Sequence, residues 1–412
     1  MGKTFAEKIL AAKAGLDEVI PSQIVTIKPD YVMSHDNSAA ISDKFKAIGL
    51  KKVYNPEQIV IVLDHCVPPA DEKYSKNHQK IRNFVKDQEL PYFFDINAGI
   101  CHQVLPEKGF VFPGALILGS DSHTTTYGAF GAFSAGIGRS EAAAIWATGE
   151  MWLMVPESYK IEVRGKFRQN ASAKDLILKI IGDIGADGAL YKSVEFSGGG
   201  IEDMSIDSRM ILANMAAEMG AKNAYMRPDN KTEKWLKGRV RSAYITIEPD
   251  NDAVYEKVLV YDLENLDRQV ACPHTVDNVK PAEELKGTKI DQALIGTCTN
   301  GRVEDLRAAA EILKGNKVAS SVRLLVLPAS YEIYRDAIKE GLIETFIEAG
   351  AVIINPGCGP CLGAHEGVPA PGEKVISTAN RNFKGRMGSP ESEIYLASPY
   401  TVARAAITGV IE

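Results

Sequence analysis

The chain has 412 residues, 45% hydrophobic and 24% charged, an ordinary globular mixture too long for one compact core. Its formal net charge of −6, with no block of Lys and Arg, argues against nucleic-acid binding, which needs a basic stripe to neutralise phosphates. No apolar run approaches a bilayer span and the N-terminal MGKTFAEKILAAKAGLDE has no signal core, so a cytoplasmic protein with no membrane partner is expected.

In chain order, QIVIVLD (58–64) reads as a buried strand running into Asp64, His65 and Cys66. GALILGSDSH (114–123) reads as a second strand, ending on Asp121, Ser122 and His123. SEAAAIWATGEMWL (140–153) has helical composition, with Pro156 as the stop beyond it. A middle block follows from Lys160: strand-like KIEVRGKF, a helix over 173–185, strand-like SVEF with Glu195, Gly198–Gly200, and a helix near 208–219. Residues 262–288 are polar and irregular and read as the crossing into the last domain. There ALIGTCTN (293–300) is a strand opening into a loop, and VEDLRAAAEILKG is an amphipathic helix ended by Gly315. VRLLVLP and AVIINPG are two further strands, separated by a helix over 330–347. The alternation predicts three α/β domains, 1–160, 161–284 and 285–412, with polar clusters at the C-terminal ends of strands.

Six cysteines in a long, apparently intracellular chain do not read as a disulfide framework. Cys298 in CTNGR and the pair Cys358/Cys361 in GCGPC form a three-thiol set, and parallel strands would gather all three along one sheet edge. Spacing alone leaves the ligand open. A zinc half-site lacks its second pair, and a redox pair is usually an early, helix-opening motif. An iron–sulfur cluster suits thiolates among glycines, and three ligands leave one iron free to act as a Lewis acid. Cys66, Cys101 and Cys272 lie apart and read as buried or incidental thiols.

Asp64-His65, His102 in GICHQVLPEKG and Asp121-Ser122-His123 place three imidazoles in polar clusters, two of them close to an aspartate. An Asp–His couple fixes the tautomer and raises basicity, which suits proton transfer to a departing hydroxyl. His78 and His274 carry no such argument. NRNFKGR, with Asn380, Arg381 and Arg386, offers two guanidinium forks for a dicarboxylic acid, or a surface arginine loop. Glu195 reads as a carboxylate partner or an edge charge. GAFGAFSAGIGRSE lacks the strand–GxGxxG–helix order of a dinucleotide loop, and HEGVP lacks the second histidine of a zincin.

Taken in order, DHCVP, GICHQVLPEKGFVFPG, GSDSHTTTYGAFGAF, ATGEMWLMVPE, VEFSGGGIEDMSIDSRMILANMAAEMGA, IGTCTNGRVEDL, NPGCGPCLGAHEGV, NRNFKGRMG and YLASPYTVARAAITGVI are similar to motifs of the aconitase superfamily. The resemblance runs from about residue 25 to the end. It implies three α/β/α-type domains around a [4Fe–4S] cleft, with Cys298, Cys358 and Cys361 as the ligands, one cluster per subunit and one iron without a cysteine. It further implies Asp64, His65, His102, Asp121 and His123 as the proton-handling set and Glu195 near the open iron. Asn380, Arg381 and Arg386 would serve the cluster region and a substrate carboxylate, and Ser122 and His35 the substrate.

Full-length relatives continue into a swivelling fourth domain carrying a catalytic serine and a further carboxylate-binding arginine. The chain stops at Glu412, so that domain is expected as a separate small subunit. The resemblance thus implies the large subunit of a hydro-lyase acting on a small hydroxy dicarboxylic acid. 3-Isopropylmalate leads, and 2,3-dimethylmalate and the homoaconitase substrates are alternatives. From other classes, an iron–sulfur electron-transfer protein would need a saturated cluster, and an RNA-binding regulator would need a larger chain and a basic cleft.

Overall fold

Short apolar runs bounded by glycine, proline or small polar residues form three larger sheets and one two-stranded pair in the computed structural model, which describes residues 2–241 and 243–412. The first sheet has the order Tyr92–Phe94, Ile59–Val62, Tyr31–Ser34, Leu116–Gly119, Phe133–Gly136, with every pair parallel. Ile59–Val62 and Leu116–Gly119 are buried along their whole length, as parallel strands covered on both faces must be. The second sheet, also parallel, runs Asn223–Met226, Ser193–Ser197, Ser158–Arg164, Lys257–Asp262.

The third sheet has seven strands. Glu393–Leu396, Lys374–Ser377, Gln292–Gly296, Arg323–Leu327 and Val352–Ile353 are parallel neighbours, and Gln269–Ala271 and Val279–Pro281 extend the Glu393 side antiparallel. This sheet therefore begins within the stretch expected to be an irregular crossing, upstream of the expected boundary at 285. The expected helix over 140–153 also divides. It ends at Thr148 because Gly149 takes φ +79°, and Met151–Met154 pairs antiparallel with Ile24–Ile27. The helix expected over 330–347 is two, Tyr331–Lys339 and Leu342–Ala349, with Gly341 between them at φ +73°.

The helix Ala173–Ile184 shows how local sequence sets packing. Ser172 and Asp175 form a reciprocal capping box, and Leu176, Ile177, Ile180 and Ile181 enter the core. One continuous apolar cluster joins the three sheets, holding Met33 and Val60 with Ile161 and Ile177 and with Leu294 and Leu327. The first and third sheets are also tied by backbone hydrogen bonds, Ile100 N–H to Ala329 O (2.9 Å) and Cys358 N–H to Asp64 O (2.8 Å). Strand ends of these two sheets consequently face one another across a cleft. No helix among the described residues is long and apolar enough to cross a membrane.

Candidate active site

The cleft measures about 730 Å³ and takes residues from both sheets. On the third-sheet side, Gln292–Gly296 must stop abruptly to present Cys298. Gly296 has φ +134°, and a Cβ there would meet the Leu327 carbonyl oxygen at 1.9 Å, so only glycine fits. Thr297 follows at φ +71°, a strained setting for a β-branched residue, and the chain then turns so that Cys298 reaches the cleft. Asn214 Nδ2 and Asn380 Nδ2 each donate to Cys298 Sγ at 3.4 Å. Cys358 and Cys361 sit in the turn after Val352–Ile353, and Arg386 donates to Cys361 Sγ at 3.5 Å. Burial, with Cys361 nearby, pushes the Cys298 thiol up to about 11. A hydrogen bond from Cys358, with Arg386 alongside, holds Cys361 well below the usual thiol range. All six cysteines are free thiols.

On the first-sheet side the imidazoles are organised by carboxylates. Asp64 Oδ1 lies 2.6 Å from His65 Nδ1, and its other oxygen accepts from Cys101 N–H at 2.7 Å. His102 Nε2 lies 2.8 Å from Asp121 Oδ1, which also accepts from His123 N–H at 2.8 Å. His35 stacks on His65 with centroids 3.8 Å apart. The two rings are driven in opposite directions. Burial opposes charge on His65, but Asp64 and Asp121 outweigh it and hold its pKa well above the ordinary imidazole value. Burial and the neighbouring His65 push His35 down to about 4. Burial would raise Asp121, yet His102, His123 and His65 keep it well below the usual carboxylate range.

A third corner joins the two sides. His123 Nε2 lies 2.7 Å from Glu218 Oε1, and Arg381 Nε reaches both Glu218 oxygens at 2.8 and 3.0 Å. Burial works against the Glu218 charge, but His123 and Arg381 hold its pKa below the ordinary value.

The cleft brings together His35, His65, His102, Asp121, Ser122, His123, Cys298, Cys358, Cys361, Asn380, Arg381 and Arg386. Asp64 stands directly behind His65. Glu195 is not brought to this cleft. It lies on Ser193–Ser197 in the second sheet, accepts from Phe5 N–H and Tyr255 O–H (both 2.8 Å), and faces a different pocket with Lys160 and Arg227. The glutamate that backs the cleft, through His123 and Arg381, is Glu218, in the same glycine-rich motif stretch but 23 residues later; its cue was a lone acid in the apolar run ANMAAEMGA. Asp36 and His78 also escaped notice as a pair. Asp36 accepts from the backbone N–H groups of Asp64, His65 and Cys66 and meets His78 Nε2 at 2.7 Å, so it shapes the whole turn. Cys66 lines the cleft rather than lying apart from it.

Parallel sheets whose strand ends place three thiols opposite an acid–imidazole network define a class of cleft enzyme built on the ends of α/β layers. The chain belongs to the aconitase family: the model described as "Aconitase family (aconitate hydratase)" matches residues 7–285 and 276–409. It is 50% identical over 412 residues to the "Probable 3-isopropylmalate dehydratase large subunit" of Methanothermobacter thermautotrophicus, covering 100% of this chain and 98% of that one. It is 51% identical over 414 residues to "3-isopropylmalate dehydratase large subunit 1" of Pyrococcus furiosus, again covering 100% and 98%. A "Probable methanogen homoaconitase large subunit" from Methanothermobacter thermautotrophicus is 50% identical over 410 residues, covering 98% of this chain and 96% of that one. Among solved structures, Thermococcus kodakaraensis aconitase X (holo-form) shares the fold at TM-score 0.50 and 14% identity, covering 90% of this chain and 87% of that one.

Family membership implies an iron–sulfur cluster. The donor set fits one. Three buried thiols converge on the cleft without forming a disulfide, and Arg386 and two amide side chains donate to their sulfurs, the environment that stabilises thiolates and cluster sulfides.

Proposed function

We propose that this chain is the large subunit of an aconitase-family hydro-lyase that reversibly dehydrates a 2-hydroxy dicarboxylic acid, with 3-isopropylmalate as substrate, and that it works with a separate small subunit carrying the swivelling domain. One observation carries the reading: in a single cleft, three buried thiols meet imidazoles held by Asp64, Asp121 and Glu218 and the guanidinium groups of Arg381 and Arg386. Relatives at 50% and 51% identity that are named for 3-isopropylmalate support the choice of substrate.

Cys298, Cys358 and Cys361 would hold the cluster, leaving one iron without a cysteine. When bound, the cluster supplies a Lewis acid to the substrate hydroxyl and an adjacent carboxylate. His65 is the general acid. Asp64 and Asp121 keep its imidazole protonated at neutral pH, so it delivers a proton to the departing hydroxyl. Asp121 also holds the His102 ring, and Glu218 holds His123. Arg381 and Arg386 bind substrate carboxylates, while Ser122 and the neutral His35 donate or accept hydrogen bonds around the hydroxyl. Removal of the proton from the neighbouring carbon is assigned to a serine of the small subunit.

Turnover by the reconstituted two-subunit enzyme tests the substrate, with 3-isopropylmalate expected to outpace homocitrate. The reverse order would favour the homoaconitase reading, which the 50% identity to a homoaconitase large subunit keeps in view. Mössbauer spectra of iron-57-loaded protein test the ligation. One iron site is expected to shift on adding substrate, and irons that all ignore the substrate would defeat the Lewis-acid role.

A further inference from the structure

Lys174 stands in the first turn of the helix Ala173–Ile184, and its side chain is wholly buried. Its ammonium donates to the carbonyl oxygens of Thr378 (2.9 Å) and Ala379 (2.6 Å), the two residues ahead of Asn380. Among the described residues it has no carboxylate in ion-pair contact. The two buried acids that bear on it electrostatically are held by other donors. Asp175 accepts from Gln269 N–H and from the backbone and hydroxyl of Ser172. Asp305 accepts from Asn300 Nδ2 and Arg302 N–H. Burial pushes these two carboxyls up, to about 6 and about 7, so neither is a strong counter-charge.

A buried ammonium without an anionic partner carries a large desolvation penalty that two carbonyl dipoles offset only in part. A fixed negative charge should therefore belong within its reach. Burial pushes Lys174 down to about 7, and the sulfurs of Cys298 and Cys361 are the leading influences in the other direction. Arg386 faces the Cys361 sulfur from the cleft, whereas Lys174 lies outside the cleft lining.

We propose that Lys174 is a positioning residue: its buried positive charge is the counter-ion of the anionic iron–sulfur group on the thiolates, and through Thr378 and Ala379 it fixes the strand end that carries Asn380 against Cys298. The inference rests on the cluster reading above. It assigns to a residue outside the cleft both the retention of the group and part of its electrostatic setting.

The test uses the cluster-loaded full chain with Lys174→Gln and Lys174→Met. Dye-mediated redox titration reads the midpoint potential, and a chelator reads the rate of iron loss. Removing a positive charge should move the potential of both variants to more negative values and speed iron loss several-fold. Gln can still donate to a carbonyl, so a purely structural role would be rescued by Gln and not by Met. A Gln variant with the wild-type potential and retention overturns the charge role. Should these variants not fold, Lys174→Arg keeps the charge and must keep the wild-type potential; a displaced potential there overturns the proposal. A wild-type chain that takes up no cluster would instead remove the underlying cluster reading, an outcome visible before any variant is made.

Discussion

Glu195 and Glu218 are both almost fully buried carboxylates, yet they occupy opposite chemical situations. Glu218 sits between an imidazole and a guanidinium, and those partners keep it ionised against the pull of burial. Glu195 has a backbone N–H and a phenol for partners and, among the described residues, no cation in contact. Burial there dominates and pushes its pKa up to about 7. Burial alone therefore does not make a carboxylate part of an anionic site. The counter-charges do, and for Glu218 they arrive from His123 and Arg381, 95 and 163 residues away.

The contrast between the two glutamates should show most strongly in turnover. Glu218→Gln leaves Arg381 without its ion pair and replaces the anionic acceptor that orients His123 with a neutral amide. It should lower kcat/KM in the reconstituted complex by roughly 10²–10⁴-fold, the range for groups that handle protons. Glu195→Gln should leave the rate at the wild-type level. Equal losses in the two variants would return Glu195 to the site.

The cleft was largely legible because its residues come in short contiguous motifs: DHC, GSDSH, TCTN, GCGPC and NRNFKGR each end a strand or follow one. Parallel topology then puts those ends together without further information. What did not read out was any choice between chemically equal candidates in one motif. Glu195 and Glu218 fall in the same glycine- and methionine-rich stretch, and only the packing of Ala216–Met219 against Ser122–Phe130 decides which one meets His123. Asp36 and His78 escaped for a similar reason. Their pairing joins a strand end to a helix 42 residues on, and nothing in EKYSKNHQKIRN marks His78 as buried. Boundaries were missed where a single residue decides, as with Gly149 ending the helix that composition alone extends to 153.

Arg381 gives the next effect in size. Its Nε reaches both oxygens of Glu218, which holds the guanidinium while its other nitrogens stay available to a substrate carboxylate. Arg381→Lys keeps the charge and loses the fork. Hydrogen bonds to charged groups are worth about 1.5–3 kcal/mol, so KM should rise roughly 10–10²-fold. Unchanged KM with reduced kcat would show that Arg381 serves the His123 corner rather than substrate binding.

Stability as a function of pH should separate the two glutamates by sign. Glu195 is raised from 4.5 to about 7 in the folded state. Between these values the folded chain keeps a proton that the unfolded chain has released, so stability falls as pH rises through that window, by on the order of 3 kcal/mol in all. Glu218 is lowered below 4.5, so its contribution is present above that value and is lost on acidification. Denaturant melts at pH 5 and pH 8 should thus show Glu195→Gln gaining on wild type as pH rises. Glu218→Gln should trail wild type by a nearly constant margin from pH 5 to pH 8, and that margin should close only below pH 4.5. Parallel curves for the two variants would mean that the Glu195 pocket admits enough water to erase the difference.

The smallest effect belongs to Tyr255, the phenol that donates to Glu195 Oε2 at 2.8 Å. Tyr255→Phe removes one donor from a carboxyl already short of charge partners, and should cost about 1–2 kcal/mol in urea melts at pH 8, where the carboxylate form is populated. At pH 5 the carboxyl holds its own proton and the loss should shrink to about 1 kcal/mol or less. A double-mutant cycle with Glu195→Gln isolates the term, because the pair is in direct contact and its coupling should change with pH. A coupling that stays constant from pH 5 to pH 8 would mean Glu195 keeps one protonation state throughout. If that state is the ionised one, the pocket needs a cation, with Lys160 in the same lining the first to examine.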